Sequence, residues 1–255
     1  MTSSEGGILA TLPSPHWGSL IPPRRFNEDE PELMDTPHPE PGVLRQDLRN
    51  LRTINRFFGG LHAIRSHVTE MIAQIDENKV VRILDLATGS ADHPLRLVSL
   101  ARSIGRRVQI TAVDRNPVTL SIARERTAMI PEITVEEGDI LTLRYPPKSF
   151  DIVLCSLALH HFSHSNAIHI LKTMGSLSRV GLIVNDLYRS WPAAWAAWLY
   201  THATSRNQMT LNDSYVSVLR AFTPPELREM ATHASVPNVR IYRHPMFRLV
   251  LVGEH

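Results

Sequence analysis

The chain has 255 residues, 43% of them apolar and 20% charged, the profile of a globular protein long enough to bury its own core. Its 27 basic and 25 acidic residues leave a net charge of +2, too balanced to argue for a nucleic-acid partner. The lone cysteine, Cys155, excludes an intramolecular disulfide and argues against a cysteine-based zinc site, so no metal is expected.

No apolar run reaches the roughly 18 residues of a membrane span. The first residues, MTSSEGGILATLPSP, lack a basic region followed by an apolar stretch, so no secretory leader is read and a cytoplasmic location is expected. Eight prolines fall within residues 1–41, with the acids Glu28, Asp29, Glu30 and Glu32 among them. Proline denies regular hydrogen bonding and the stretch has little apolar surface, so residues 1–42 are expected to form an irregular arm. Whether that arm folds over a site stays open at this level.

A helical cap is predicted over 43–79. Leu44, Leu48, Leu51, Ile54 and Phe58 share one helical face, and Gly59-Gly60 reads as its stop. Leu61, Ile64, Val68, Met71 and Ile75 continue at helical spacing. Five short apolar runs follow, at 80–87, 107–114, 133–140, 149–156 and 179–186, with helical segments at 92–104, 117–128 and 164–177. Such alternation means a parallel sheet covered on both faces, hence a doubly wound α/β fold. The aromatic-rich 190–203 reads as a further helix, and Thr223 followed by Pro224 opens another. Residues 239–253 read as a hairpin turning at His244-Pro245.

The chemistry sits at the strand ends. An open parallel sheet binds its ligand beyond the carboxyl ends of its strands. The first run ends Asp85-Leu-Ala87-Thr88-Gly89-Ser-Ala91-Asp92, a loop of small residues that lets backbone approach a ligand. Asp92 suits two roles, helix N-cap or ligand contact. The second run ends at Asp114-Arg115, where an acid can accept both hydroxyls of a ribose, and Asp139-Ile140 follows the third. A dinucleotide site needs Gly-x-Gly-x-x-Gly here, whereas this loop has one glycine, and an acid at 85 suits a cationic ligand better than a pyrophosphate.

These residues resemble the class I S-adenosylmethionine-dependent methyltransferases, in detail the small-molecule enzymes of the ubiquinone and menaquinone type. Asp85, Ala87, Gly89 and Ala91 match the first motif loosely, Asp114 the ribose acid, Asp139 and Ile140 the adenine side, and Phe150–Ser156 the fourth strand. The resemblance implies a Rossmann-like, doubly wound, seven-stranded sheet with a C-terminal antiparallel hairpin over 80–255, with acceptor-side helices inserted at about 190–222. It implies S-adenosylmethionine as cofactor, S-adenosylhomocysteine as product, and a small-molecule acceptor. Asp85, Ala87, Thr88, Gly89, Asp92, Asp114, Arg115, Asp139, Ile140 and Ser156 would then hold the cofactor. Alanine favours negative φ, so the loop is expected to be less strained at Ala87 and Ala91 than in the glycine-bearing family.

His160 and His161 follow the fourth strand, beside the methyl group in such enzymes, and either suits a general base. Asp186, Tyr188 and Arg189 follow the fifth. Asp186 and Tyr188 are candidates to orient or deprotonate an acceptor, and Arg189 to hold an acceptor carboxylate. Trp191, Trp195 and Trp198 share a helical face, either core or the wall of an apolar pocket, and His202 on the next turn is another candidate base. An apolar or aromatic acceptor methylated on oxygen is the favoured expectation. The alternative is a non-catalytic cofactor-binding partner subunit or sensor.

Overall fold

A computed structural model describes residues 20–29, 31–36, 40–57 and 62–255. The predicted Gly59-Gly60 stop, Phe58 and Leu61 lie outside the described residues, as do residues 1–19 of the arm. The chain runs α1 (Pro41–Phe57), α2 (His62–Ala73), β1 (Val81–Leu86), α3 (Asp92–Ser103), β2 (Val108–Asp114), α4 (Pro117–Thr127), β3 (Ile133–Glu137) and β4 (Phe150–Ser156). It continues α5 (His164–Leu177), β5 (Ser178–Leu187), α6 (Trp191–Thr204), α7 (Gln208–Arg220), α8 (Pro224–His233), β6 (Arg240–His244) and β7 (Arg248–Glu254).

The strands form one seven-stranded sheet in the order β3-β2-β1-β4-β5-β7-β6. β1 to β5 pair in parallel, and β7 joins β5 and β6 antiparallel. The order reverses between β1 and β4, which opens a crevice at their carboxyl ends. The strands are apolar on both faces because helices cover both. Ile83, Ile110, Ile152 and Ile183 pack under α2 and α3, while Leu84, Val153, Leu182 and Leu251 pack under α5 and α8.

Helix starts follow local chemistry. The Asn116 side chain accepts from Val118 and Thr119 N–H ahead of Pro117, and Ser163 caps α5. At α8 the Glu226 carboxylate accepts from Thr223 N–H at 2.7 Å, with Pro224 in the first turn. Asp92 is the first residue of α3 rather than its N-cap, a place taken by Ala91 in the left-handed region.

α2 lies against β5 at Gly181, where an added Cβ would meet Gly253 O at 2.5 Å and Met71 Cε at 2.7 Å. Gly181→Ala should therefore destabilise the protein by about 1–3 kcal/mol, read as a lowered midpoint in urea unfolding. An unchanged midpoint would mean that this contact relaxes freely.

Candidate active site

A cavity of about 450 Å³ opens beyond the carboxyl ends of the central strands. Its floor is the β1–α3 loop, the tip of β2 and the tip of β4. The loop turns on three left-handed residues, Ala87 (φ 53°), Gly89 (φ 57°) and Ala91 (φ 58°). The expected relaxation at the two alanines is thus overturned. The backbone keeps the tight path, at a cost on the order of 1–2 kcal/mol per non-glycine residue, because the bonds around it hold it there. Asp114 Oδ2 accepts Gly89 N–H at 2.8 Å, and its Oδ1 accepts Asn116 N–H at 3.0 Å.

Among the predicted cofactor residues, Ala87, Thr88, Gly89, Asp92, Asp114, Arg115, Ile140 and Ser156 line the cavity. Asp85 does not. It is buried behind the loop and accepts the Thr88 hydroxyl at 2.6 Å, so it shapes the loop from below. Asp139 is also absent from the lining; its Oδ1 accepts Leu141 N–H and holds its own turn. Asp92 pairs with Arg126 at 2.8 Å and accepts the Ser90 hydroxyl.

Burial lifts the Asp85 carboxyl from 3.8 to about 7, helped by repulsion from Asp114 and Asp92 and opposed by the Thr88 hydrogen bond. The folded state binds this proton more tightly than the unfolded chain. The stability contributed is complete below about pH 3.8 and is lost as pH rises through about 7. Asp85→Asn should flatten that part of the stability curve, raising the urea midpoint relative to the parent at about pH 8 but not at about pH 4. Parallel curves would detach this ionisation from folding.

The second half of the cavity is built by the arm, α1, α6 and α7. Leu33 and Met34 N–H donate to the two Asp213 carboxylate oxygens, each at 2.9 Å, and Ser217 Oγ donates to Glu32 Oε2 at 2.6 Å. Arg24 donates to Phe162 O at 2.8 Å and sits over the Phe222 ring. These bonds carry Glu32 and Asp35 across the cleft onto the short 3-10 turn Leu159–His161.

There His160 and Asp186 form a buried pair, with Nδ1 2.6 Å from Oδ1. Asp186 Oδ2 also accepts His160 N–H at 3.0 Å. Burial works against the Asp186 charge, but the His160 side chain holds its carboxyl below the usual range. His160 Nε2 is left facing Glu32 Oε1 at 3.9 Å. His161 Nδ1 lies 2.5 Å from Asp35 Oδ2. Burial acts to lower the His161 imidazole, but the Glu32 and Asp35 carboxylates outweigh it and raise it to about 9. His161 is therefore an imidazolium at neutral pH.

Asp186 stands behind His160 and is not itself part of the cavity lining, and three further candidates lie off it as well. His202 is exposed, stacks on Trp198 and points Nδ1 at Trp198 O, 2.9 Å away. Tyr188 packs on the core beneath the Arg243 guanidinium. Arg189 is buried and bonds Ala221 O, Pro22 O and Glu226, which ties the arm to α8. The tryptophan stripe does not line the cavity either. Trp191 and Trp198 pack against the α6–α7 contact and Trp195 is 43% exposed, whereas Ala193, Ala196, Ala197 and Tyr200 form the wall. The reason is rotation. The small residues of α6 let it approach the cavity, so the bulky face turns away.

Glu32, Asp35 and His93 also line the cavity, and sequence reasoning missed them. In the sequence Glu32 stands within a run of acids on a proline-rich arm, a pattern that ordinarily means solvated charge. Its partners come from the far end of the chain, so no local signal marked it.

The sheet order and the cleft beyond its strand ends have the fold of the class I methyltransferases. Residues 83–181 match the family described as a methyltransferase domain. The chain is 39% identical over 83 residues to a demethylmenaquinone methyltransferase of Deinococcus radiodurans, covering 32% of this chain and 33% of that protein. It is 27% identical over 128 residues to one of Staphylococcus epidermidis, covering 50% of each. The chain thus spans a third to a half of the length of the curated relatives that it matches. Among solved structures it superposes on the plantazolicin methyltransferase BpumL in complex with SAH, with TM-score 0.66 and 13% identity, covering 89% of this chain and 96% of that one. A SAM-dependent methyltransferase from Aquifex aeolicus gives TM-score 0.55 at 12% identity, covering 84% and 97%.

The cofactor of this class is S-adenosylmethionine, and the residues fit it. Ser156 Oγ at the tip of β4 is buried without a hydrogen-bond partner and lines the cavity. Apart from Gly89 and its chain neighbours, no atom of the described residues lies within 4 Å of where a Gly89 Cβ would stand, so the loop backbone is open to a ligand. Asp114 stands beside that opening with its carboxylate anchored by two backbone bonds.

Proposed function

We propose that this chain transfers a methyl group from S-adenosylmethionine to the oxygen of a small, apolar or aromatic acceptor. The observation that carries the reading is the junction of two unlike half-sites. The glycine loop, Asp114 and Ser156 suit the cofactor on one side. Leu51, Ile54, Ala197 and Val218 offer an apolar acceptor wall on the other. The His160–Asp186 pair stands between them.

When bound, the cofactor supplies a methyl group on a sulfonium that leaves as a neutral thioether. The protein's task is then chiefly alignment and exclusion of water. The arm and α1 cover the acceptor side, and the apolar wall excludes competing water. Asp186 holds His160 Nδ1 in place and leaves Nε2 turned to the cleft. A hydroxyl placed there can give its proton to Nε2 as its oxygen bonds to the methyl carbon. His161, already protonated, is a fixed positive charge that holds Asp35 and Glu32 across the entrance rather than a base.

The test is direct. Purified chain, labelled S-adenosylmethionine and a panel of phenols, hydroxyquinones and aliphatic alcohols should yield S-adenosylhomocysteine with one acceptor class. Cofactor binding without turnover on any hydroxyl, amine or carbon acceptor would sink the enzymatic reading and favour a binding subunit.

A further inference from the structure

Glu32 is 1% exposed, yet its Oε1 accepts no hydrogen bond among the described residues. A buried carboxylate oxygen that has ion-pair neighbours but no hydrogen bond leaves its lone pairs open to a further ligand. Two nitrogen ligands face that atom, His160 Nε2 at 3.9 Å and His161 Nδ1 at 3.8 Å. The three ligand atoms lie within 4.8 Å of one another and all three residues line the cavity. The nearby Arg220 Nη1 is 4.0 Å away, beyond hydrogen-bond reach.

We propose that Glu32, His160 and His161 form a binding site for a divalent transition ion of the zinc type, with one coordination position open toward the acceptor. Two imidazoles and one carboxylate suit a borderline cation rather than magnesium or calcium, which prefer all-oxygen shells. Metal–ligand bonds of about 2.0–2.1 Å at tetrahedral angles place ligand atoms about 3.3–3.5 Å apart. The two carboxylate–imidazole separations, 3.9 and 3.8 Å, need contraction by about half an ångström, and the two imidazole nitrogens, within 4.8 Å of each other, close on the ion by side-chain rotation. The surroundings match what a ligating histidine requires. Asp186 fixes His160 through Nδ1 and frees Nε2, and Ser217 fixes Glu32 through Oε2 and frees Oε1. Uptake of the ion sends the His161 proton to solvent and leaves Asp35 on Arg115, now 3.5 Å from it.

In the methyl-transfer reading, on which this part rests, the ion would hold and polarise the acceptor oxygen in place of the direct contact with His160 Nε2. The ion site itself does not depend on that reading, and the experiment keeps the two apart. Chelator-stripped full chain is titrated with Zn²⁺ by calorimetry and with Co²⁺ by visible absorption, and S-adenosylmethionine affinity is measured on the same samples. The expected result is one ion per chain, a tetrahedral Co²⁺ spectrum, and binding weakened at least roughly ten-fold by Glu32→Gln. His202→Ala, outside the cleft, should bind as the parent does. If Glu32→Gln fails to fold, judged by loss of cofactor affinity, His161→Asn decides. No saturable Zn²⁺ binding, or equal binding by these variants, overturns the site while leaving the cofactor result standing. Ion binding with no affinity for S-adenosylmethionine overturns the methyltransferase reading alone.

Discussion

His160→Ala should lower methyl-transfer turnover by roughly 10²–10⁴-fold while leaving S-adenosylmethionine affinity unchanged. His160 is buried beneath the arm, its Nδ1 spent on Asp186 and its Nε2 turned to the cleft. In the proposed reaction, removing it deletes the base that would face the acceptor and leaves the β1–α3 loop, proposed to hold the cofactor, untouched. Asp186→Asn tests the same pair from behind. It keeps the shape, loses the charge that orients the imidazole, and should lower kcat more than it raises acceptor KM. Rapid-quench turnover and calorimetry with the cofactor separate the two effects. Full activity in His160→Ala would remove the pair from the chemistry, and an equal loss of cofactor affinity would assign it a bracing role.

The second large effect is expected at Asp114. Its carboxylate anchors Gly89 and Asn116 N–H and lines the cavity at the tip of β2. Hydrogen bonds from a ribose diol to a carboxylate contribute about 1.5–3 kcal/mol each. Asp114→Ala should therefore weaken S-adenosylmethionine binding at least roughly ten-fold, and more where the released Gly89 loop loosens. The carboxyl of Asp114 is raised by burial against its backbone hydrogen bonds, so affinity should also fall as the solution is acidified and the group protonates. Calorimetric affinity equal to that of the parent would place the ribose elsewhere.

Much of the scaffold was legible because its cause is local. Two-faced apolar runs such as VRILDL and FDIVLCS form buried strands wherever helices follow them, and the caps Ser163, Ser190 and Thr223 start helices by bonding within a single turn. Small residues after Asp85 and an acid ending β2 marked one wall of the cavity for the same reason. Direction was less legible. The third run stops at Glu137 rather than 140, because Asp139 turns back on Leu141. The α6 tryptophans share a face, as the spacing requires, but which face meets the cavity depends on α7 and the β6–β7 turn packed against it.

The sequence by itself determined the α/β order, the loop at Asp85–Asp92, the acid at 114 and the candidacy of His160 and Asp186. Periodicity and strand-end position are properties of neighbouring residues. Only the tertiary structure decided that the arm crosses the cleft, that Glu32 and Asp35 meet the two histidines, and that Asp85, Asp139, Tyr188 and His202 stand outside the cavity. Those outcomes depend on contacts between segments distant in the chain. Asp213 on α7 captures the arm's backbone at Leu33 and Met34, and that capture drives an acid that reads as solvated into a buried site. A carboxylate's role is set by which charges surround it once folded, and that arrangement is fixed by the three-dimensional path of the whole chain.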